Sequence, residues 1–278
     1  MKFAIINDIH NGPPDSGFHK GIQRKLTFMA KDLVGKFVSE MNEAVHPEFV
    51  INLGDLIEDV NNRETDLRYF RETVQLLSPL TMPAYTLIGN HDVRTLTDQD
   101  MREILNYKRL YYSFDHGDFH FIALSFTMTG NHTVDLEDIK AEVLPDQLEW
   151  LANDLSTTSK PTIVFIHYGL ADDDMKGNFW FNDDPDYGLL HNRAKVRRIL
   201  EDSGKVRAVI SGHQHWNRMK VHNGIPYFVV TSLVENFQND GIAAEAHTIV
   251  TVTDEQIVVD VKGNDPARFE HAFEKASA

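Results

Sequence analysis

Two rhythms of apolar and polar positions alternate along the chain. Predominantly apolar runs at 2–7, 49–53, 84–88, 162–166 and 206–210 predict buried strands. Between the first two, Ile22, Leu26, Met29, Leu33, Phe37 and Met41 recur near helical spacing and predict one long amphipathic helix over 21–44. Residues 64–77 predict a second helix, which Ser78-Pro79 ends. Past Tyr107 the texture changes: 111–114 and 119–125 read as an antiparallel hairpin turning at His116-Gly117-Asp118. Pro145 opens a helix carrying Leu148, Trp150, Leu151 and Leu155 inward, and 193–200 forms another. The remainder reads as short strands at 219–222, 226–230, 248–252 and 257–261, with turns at Asn223-Gly224 and Asp254-Glu255. Alternating strands and helices predict an α/β fold with parallel pairing and right-handed crossovers. With no repeat, low-complexity tract or linker, the expectation is a single domain over residues 1–278 with two mixed sheets packed face to face.

Composition narrows the classes. A chain of 278 residues, 42% hydrophobic, can bury a full core. It has no cysteine, which excludes disulfides, thiolate metal sites and a cysteine nucleophile. No run approaches a membrane span, and the apolar stretch at the N-terminus is too short for a signal peptide, so a cytoplasmic protein with no membrane partner is expected. The formal net charge of −15 argues against a protein that grips polymeric nucleic acid by its phosphates. It does not exclude a small anion, because bound cations would set the local potential. The acidic runs Asp172-Asp173-Asp174 and Asp183-Asp184 read as solvated loop, within a segment, 171–190, that is acidic, aromatic and aperiodic.

The chemistry collects at the strand ends. After the five predicted inner strands come, in order, Asp8 and His10; Asp55; Asn90, His91 and Asp92; His167; and His213 and His215. In an open α/β sheet that edge is where sites form, and Gly89 is expected to permit a sharp turn there. Oxygen and imidazole donors without sulfur suit Mn, Fe, Zn, Co or Ni, and are too rich in imidazole for a Ca or Mg cage. Asp8/His10 and His213/His215 are i, i+2 pairs, so extended chain would present the two side chains of each pair on one side. Seven ligands, Asp8, His10, Asp55, Asn90, His167, His213 and His215, exceed the need of one tetrahedral ion and fit two divalent ions sharing Asp55.

Asp8-x-His10, Gly54-Asp55, Gly89-Asn90-His91-Asp92, His167 and Gly212-His213-x-His215, in that order over residues 8–215, resemble the calcineurin-like metallophosphoesterase superfamily, and within it the bacterial class III cyclic-nucleotide and glycerophosphodiester phosphodiesterases. The resemblance implies a four-layer α/β/β/α sandwich. It implies one ion on Asp8, His10, Asp55 and His215, the other on Asp55, Asn90, His167 and His213, and a bridging hydroxide attacking phosphorus. His91 would be a catalytic non-ligand near the leaving oxygen, with Asp92 orienting a ligand or that imidazole. Purple acid phosphatases carry a tyrosine three residues after the bridging aspartate; this chain has Glu58 there. A homodimer is the oligomeric state the resemblance suggests.

Around this set, Asn90, His91, Trp180 and His191 are candidate substrate contacts. Phe179-Trp180-Phe181 could stack on a nucleobase or simply seat its loop. Arg63, Arg68, Arg71 and Arg94 could meet phosphate, although helix surfaces are their ordinary place. His19, His46, His116, His120, His132, His222, His247 and His271 are read as surface or structural groups. The expected activity is hydrolysis of a small phosphodiester, with a nucleotide among the candidate substrates. A phosphomonoesterase, a nucleotide pyrophosphatase and a non-catalytic binding module on the same fold stand as alternatives.

Overall fold

The apolar runs become the parallel centres of two six-stranded mixed sheets. The computed structural model describes residues 1–129 and 140–273; His132 lies outside them. The described residues divide into two compact units, the first made of 1–110, 215–217 and 230–273, the second of 111–129, 140–214 and 218–229.

In the first unit the sheet order is Ala267–Ala272, Gln256–Lys262, His247–Val252, Lys2–Ile6, Val50–Asn52, Ala84–Thr86. The last three run parallel and the others antiparallel. Phe3, Ala4, Ile5 and Ile6 are wholly buried, as a parallel strand covered on both faces requires. Helix Ala30–Glu40 turns Ala30, Leu33, Val34, Phe37 and Val38 inward, and they join Ile6, Ile9, Val50 and Leu77 in one core cluster. Each large side chain buried this way contributes roughly 1.5–3 kcal/mol.

The long helix expected over 21–44 is shorter than its spacing suggested. Residues Phe18–His19 and Ile22–Gln23 pair as a miniature hairpin turned by left-handed Lys20 and Gly21, and Ile22 is 47% exposed. Its match to the helical stripe is therefore accidental. The helix begins at Ala30, runs into a wider turn at Met41–Val45, and stops at left-handed His46. Helix Arg63–Leu77 forms almost as expected, capped by the Asn62 side chain accepting from Thr65 N at 3.0 Å, a bond of the kind that adds about 1 kcal/mol. Helix Asp98–Leu105 opens with a reciprocal box between Thr97 and Asp100.

The second unit orders its strands Arg218–His222, Ile225–Val229, Val206–Ser211, Thr162–Phe165, Phe119–Ala123, Tyr112–His116. The inner four are parallel and the two flanking strands antiparallel. Helices Pro145–Thr157 and Arg193–Asp202 belong to it, the first opened by its proline as expected. Strand Ala267–Ala272 of the first unit had not been expected: it is an edge strand with exposed positions alternating, and its sequence has no apolar run. No helix among the described residues is long and apolar enough to cross a membrane.

His120 ties the hairpin of the second unit to helix Pro145–Thr157. Its Nδ1 lies 2.6 Å from Asp115 Oδ1 and its Nε2 2.8 Å from Asp154 Oδ2. Both nitrogens donate to carboxylates only when the ring is an imidazolium. The bond to Asp154, then that to Asp115, raises its pKa above the ordinary 6.5 against the opposing effect of burial. The stabilisation is therefore complete below about pH 6.5 and is lost as pH rises through the folded-state value. His120→Gln is expected to cost about 1 kcal/mol at pH 6, a charge-assisted pair discounted for solvent, and less at pH 9; urea unfolding at both pH values checks this.

Candidate metal centre

Five of the seven expected ligands occupy the left-handed region of backbone space: Asp8 (φ 48°), His10 (47°), Asp55 (52°), His213 (68°) and His215 (53°). Such a conformation costs a non-glycine residue about 1–2 kcal/mol, so the surrounding structure has to impose it. Asp8 N donates to Gly54 O at 3.0 Å, His10 N to Asp55 O at 3.1 Å and Asn11 N to Leu56 O at 3.0 Å. Ser232 Oγ donates to Asp8 O at 2.8 Å. The chain after Lys2–Ile6 is thus curled rather than extended. Asp8 and His10 reach the same place.

Asp55 follows Gly54, whose φ of 106° only glycine adopts readily. It lies against Gly89: a Cβ on Gly89 would stand 2.1 Å from Asp55 Oδ1. Gly89 was expected to serve a sharp turn, but its φ is not left-handed; it leaves room for the Asp55 carboxylate. His91 N donates to Asp55 Oδ1 at 2.9 Å. Asp92, wholly buried, accepts from Leu56 N (2.9 Å), Ile57 N (3.2 Å) and Gly89 N (2.8 Å), so it clamps the two ligand loops together through their backbones.

Asp8, His10, Asp55 and His215 are all buried, with donor atoms within 4.8 Å of one another. The two Nε2 atoms face each other at 3.1 Å, Asp8 Oδ1 is 3.3 Å from His215 Nε2, and Asp55 Oδ2 is 3.7 Å from His10 Nε2. The far side of each ring is held by a carboxylate: His10 Nδ1 is 2.9 Å from Glu58 Oε2, and His215 Nδ1 bonds Glu235. A carboxylate on Nδ1 keeps the proton there and turns the Nε2 lone pair toward the shared point, the usual support of a metal-ligating histidine. The donor set fits a divalent transition-metal ion. Burial and the Lys25 charge pull the His10 pKa down to about 4, against the pull of Glu58 and Asp55. Burial would lower His215 also, but the charges of Glu235 and Asp8 outweigh it and push the ring up to about 10.

In the second unit, His167 and His213 have ring centroids 5.0 Å apart. His213 Nε2 donates to Tyr187 O at 2.9 Å, so that Nδ1 carries the ring's lone pair. Tyr168 and Phe181 pack on its ring at 4.0 and 5.0 Å. The aperiodic 171–190 segment is pinned rather than loose. Buried Asn178 donates to Gln214 O (2.9 Å) and accepts from Trp180 N (2.9 Å) and Phe181 N (3.3 Å), while Gln214 donates to Gly188 O at 2.9 Å.

Of the expected substrate contacts, Asn90 is buried and His91 is nearly so. Trp180 packs beside Phe179 at 6.0 Å, and it is Phe181, not Trp180, whose ring lies on His213. His191 is 41% exposed and faces Glu142 Oε1 at 4.0 Å; it joins none of the donor groups among the described residues. Arg63 pairs with Asp100, Arg94 Nη1 lies 3.4 Å from Asp59 Oδ1, and Arg68 covers the Tyr69 ring.

Four residues escaped the sequence reading: Lys25, Glu58, Asp59 and Glu235. Asp59 Oδ1 is 2.6 Å from His91 Nδ1, so the imidazole leans on Asp59 while Asp92 serves the backbone. Glu58 and Asp59 follow Asp55 by three and four residues, a signal that was present and read only as a missing tyrosine. Glu235 sits in a stretch without periodicity, and Lys25 on a helix that does not form.

Glu235→Gln is expected to keep the fold and weaken binding of Mn²⁺ by about 10–100-fold in a calorimetric titration. Gly89→Ala, which drives a methyl group into Asp55, is expected to lower Mn²⁺ occupancy further in elemental analysis, and an unchanged stoichiometry would contradict the packing described.

Comparison with known proteins adds four findings. The model of the calcineurin-like phosphoesterase family matches residues 1–217. A protein of Psychrobacter arcticus named "probable cyclic nucleotide phosphodiesterase" is 19% identical over 209 residues, covering 71% of this chain and 67% of its own. Among solved structures, a dimetal phosphatase from Danio rerio superposes with a TM-score of 0.78 at 16% identity, covering 98% of this chain and 99% of that one. GAP50 of Plasmodium, described as the anchor in the inner membrane complex, superposes with a TM-score of 0.62 at 14% identity, over 99% of this chain and 89% of its own. The strand-end donors, the two mixed sheets and a family match over more than three-quarters of its length place this chain in the calcineurin-like phosphoesterase family.

Proposed function

We propose that this protein hydrolyses a small phosphodiester at a site holding two divalent ions. The observation that carries the reading is the convergence of Asp8, His10, Asp55 and His215 in one buried group, with both imidazoles oriented from behind by carboxylates. Those four would hold one ion; the family resemblance assigns Asp55, Asn90, His167 and His213 to the second. When bound, the ions supply Lewis acidity and activate water for attack at phosphorus.

The chain's own residues do the rest. Glu58 and Glu235 keep His10 and His215 in the ligating tautomer, and Asp92 fixes the loop that presents Asp55. His91, whose backbone N–H donates to Asp55 and whose ring Nδ1 meets Asp59, would assist departure of the alcohol. The resemblance of the motif order to class III phosphodiesterases, and the name of the Psychrobacter arcticus relative, favour a diester over a monoester. Mn, Fe, Zn, Co and Ni all suit the donors.

Mn²⁺-loaded protein is expected to turn over bis(p-nitrophenyl) phosphate at least about tenfold faster than p-nitrophenyl phosphate, with activity abolished by a chelator. A reversed preference would make it a phosphomonoesterase. No stoichiometric metal and no chelator-sensitive hydrolysis would make it a binding module. His91→Ala is expected to keep both metals and lose about 10²–10⁴ in kcat, the usual range for a group that assists proton transfer; loss of metal in parallel would contradict its role.

A further inference from the structure

Strand Ala267–Ala272 ends one side of the first unit's six-stranded sheet, and among the described residues no strand pairs with its outer edge. Phe273 N donates to Glu255 O at 2.7 Å, in the register of the ladder between Gln256–Lys262 and Ala267–Ala272. Along an antiparallel ladder, pairs that exchange backbone bonds alternate with pairs that do not. His271, Phe269 and Ala267 therefore turn their amides and carbonyls to the neighbouring strand, while those of Arg268, Glu270 and Ala272 point outward. The side chains alternate as well. Phe269 lies opposite buried Val259, whereas Arg268 and Glu270 are each more than half exposed on the other face.

An open edge is a template for another strand, and charge is a common guard against it. Strand Arg218–His222, an edge of the other sheet, is guarded in this way: its permanent charges, Arg218 and Lys220, share one sign and would repel a second copy. Ala267–Ala272 instead carries one charge of each sign, two residues apart, both at outward-bonding positions. An antiparallel self-pairing centred on Arg268 sets guanidinium against guanidinium, and one centred on Glu270 sets carboxylate against carboxylate. Centred on Phe269, it sets Arg268 opposite Glu270 of the second copy, and Glu270 opposite that copy's Arg268. Both pairs have outward amides and carbonyls, so each exchanges its backbone bonds in full. Arg268 already donates from Nε to Glu270 Oε1 at 2.9 Å along its own strand, and its Nη1 lies 3.3 Å from Asp260 Oδ2. Two joined copies make a square of alternating charge in which both contacts persist. Phe269 meets its counterpart at the position of closest approach between the two pairs, where aromatic pairs add to sheet stability.

We propose that this edge is an interface with a second copy of the chain, in which two Ala267–Ala272 strands pair antiparallel about a two-fold axis at Phe269. The same patch serves on both copies, so the contact closes at a dimer. One strand from each side buries little surface, which places the contact among the weaker, reversible interfaces. The pairing makes no use of the metal centre.

Sedimentation velocity on the full-length protein from about 5 to 500 µM, reaching above the micromolar affinities of modest interfaces, tests this. A reversible monomer–dimer equilibrium is expected. Arg268→Glu opposes like charges twice and is expected to raise the dissociation constant at least about tenfold, as is Glu270→Arg. Arg268→Glu combined with Glu270→Arg restores opposite signs with their places exchanged, and is expected to return the constant to within about threefold of the original. Both side chains are exposed, so the far-ultraviolet circular dichroism of every variant is expected to match that of the unaltered protein. A protein that stays monomeric throughout, a dimer indifferent to both single changes, or a double variant as dissociated as the singles would overturn the proposal.

Discussion

Burying carboxylates without a compensating charge is costly, and this site buries four of them within reach of two imidazoles. Glu58 is matched by Lys25 and Glu235 by Arg24. Asp8 and Asp55 lie instead against His215 and His10, the rings whose Nε2 atoms face each other. The compensation expected of a divalent ion thus has a defined place among side chains that no core of this size would otherwise collect. The rest of the first unit is arranged to keep those side chains where the ion needs them.

The same requirement explains the backbone. Strands Lys2–Ile6 and Val50–Asn52 are ordinary parallel strands until their last residue, and then the chain enters left-handed conformations that cost it energy. The glycines flanking Asp55 follow from this: Gly54 supplies an angle, and Gly89 supplies an absence of volume. Asp92 contributes through three backbone amides, and Asn178 and Gln214 perform a similar service for the loop facing His213. Rigid support beneath ligand side chains is what holds such a set in place in the absence of the ion.

Much of this was legible before the structure. Apolar runs of five residues that end in Asp, His or Asn mark both a parallel strand and what it presents, so the inner strands and their donors could be read together. Helix Pro145–Thr157 carried its own start signal in Pro145, and helix Arg63–Leu77 its stop in Ser78-Pro79. What stayed hidden was set by three-dimensional neighbours. Ile22 completed a helical stripe by coincidence, and that concealed both a hairpin and the inward path of Lys25. Gly89 looked like a turn glycine because a sequence does not display the carboxylate pressed against it. Glu235 has no local pattern at all; its role exists only because residue 215 returns to the first unit. The edge strand Ala267–Ala272 pairs by backbone bonds and buries little, so no apolar rhythm announced it.

That return has a consequence for how the molecule is made. Strand Lys2–Ile6 pairs on one side with Val50–Asn52, made soon after it, and on the other with His247–Val252, made far later. At roughly 5–20 residues per second, one edge of strand Lys2–Ile6 stays bare for tens of seconds or less. Such an edge invites pairing with other nascent chains. Expression yield is therefore expected to follow translation speed and chaperone supply more closely than equilibrium stability, a property written into the topology and separate from the chemistry it serves.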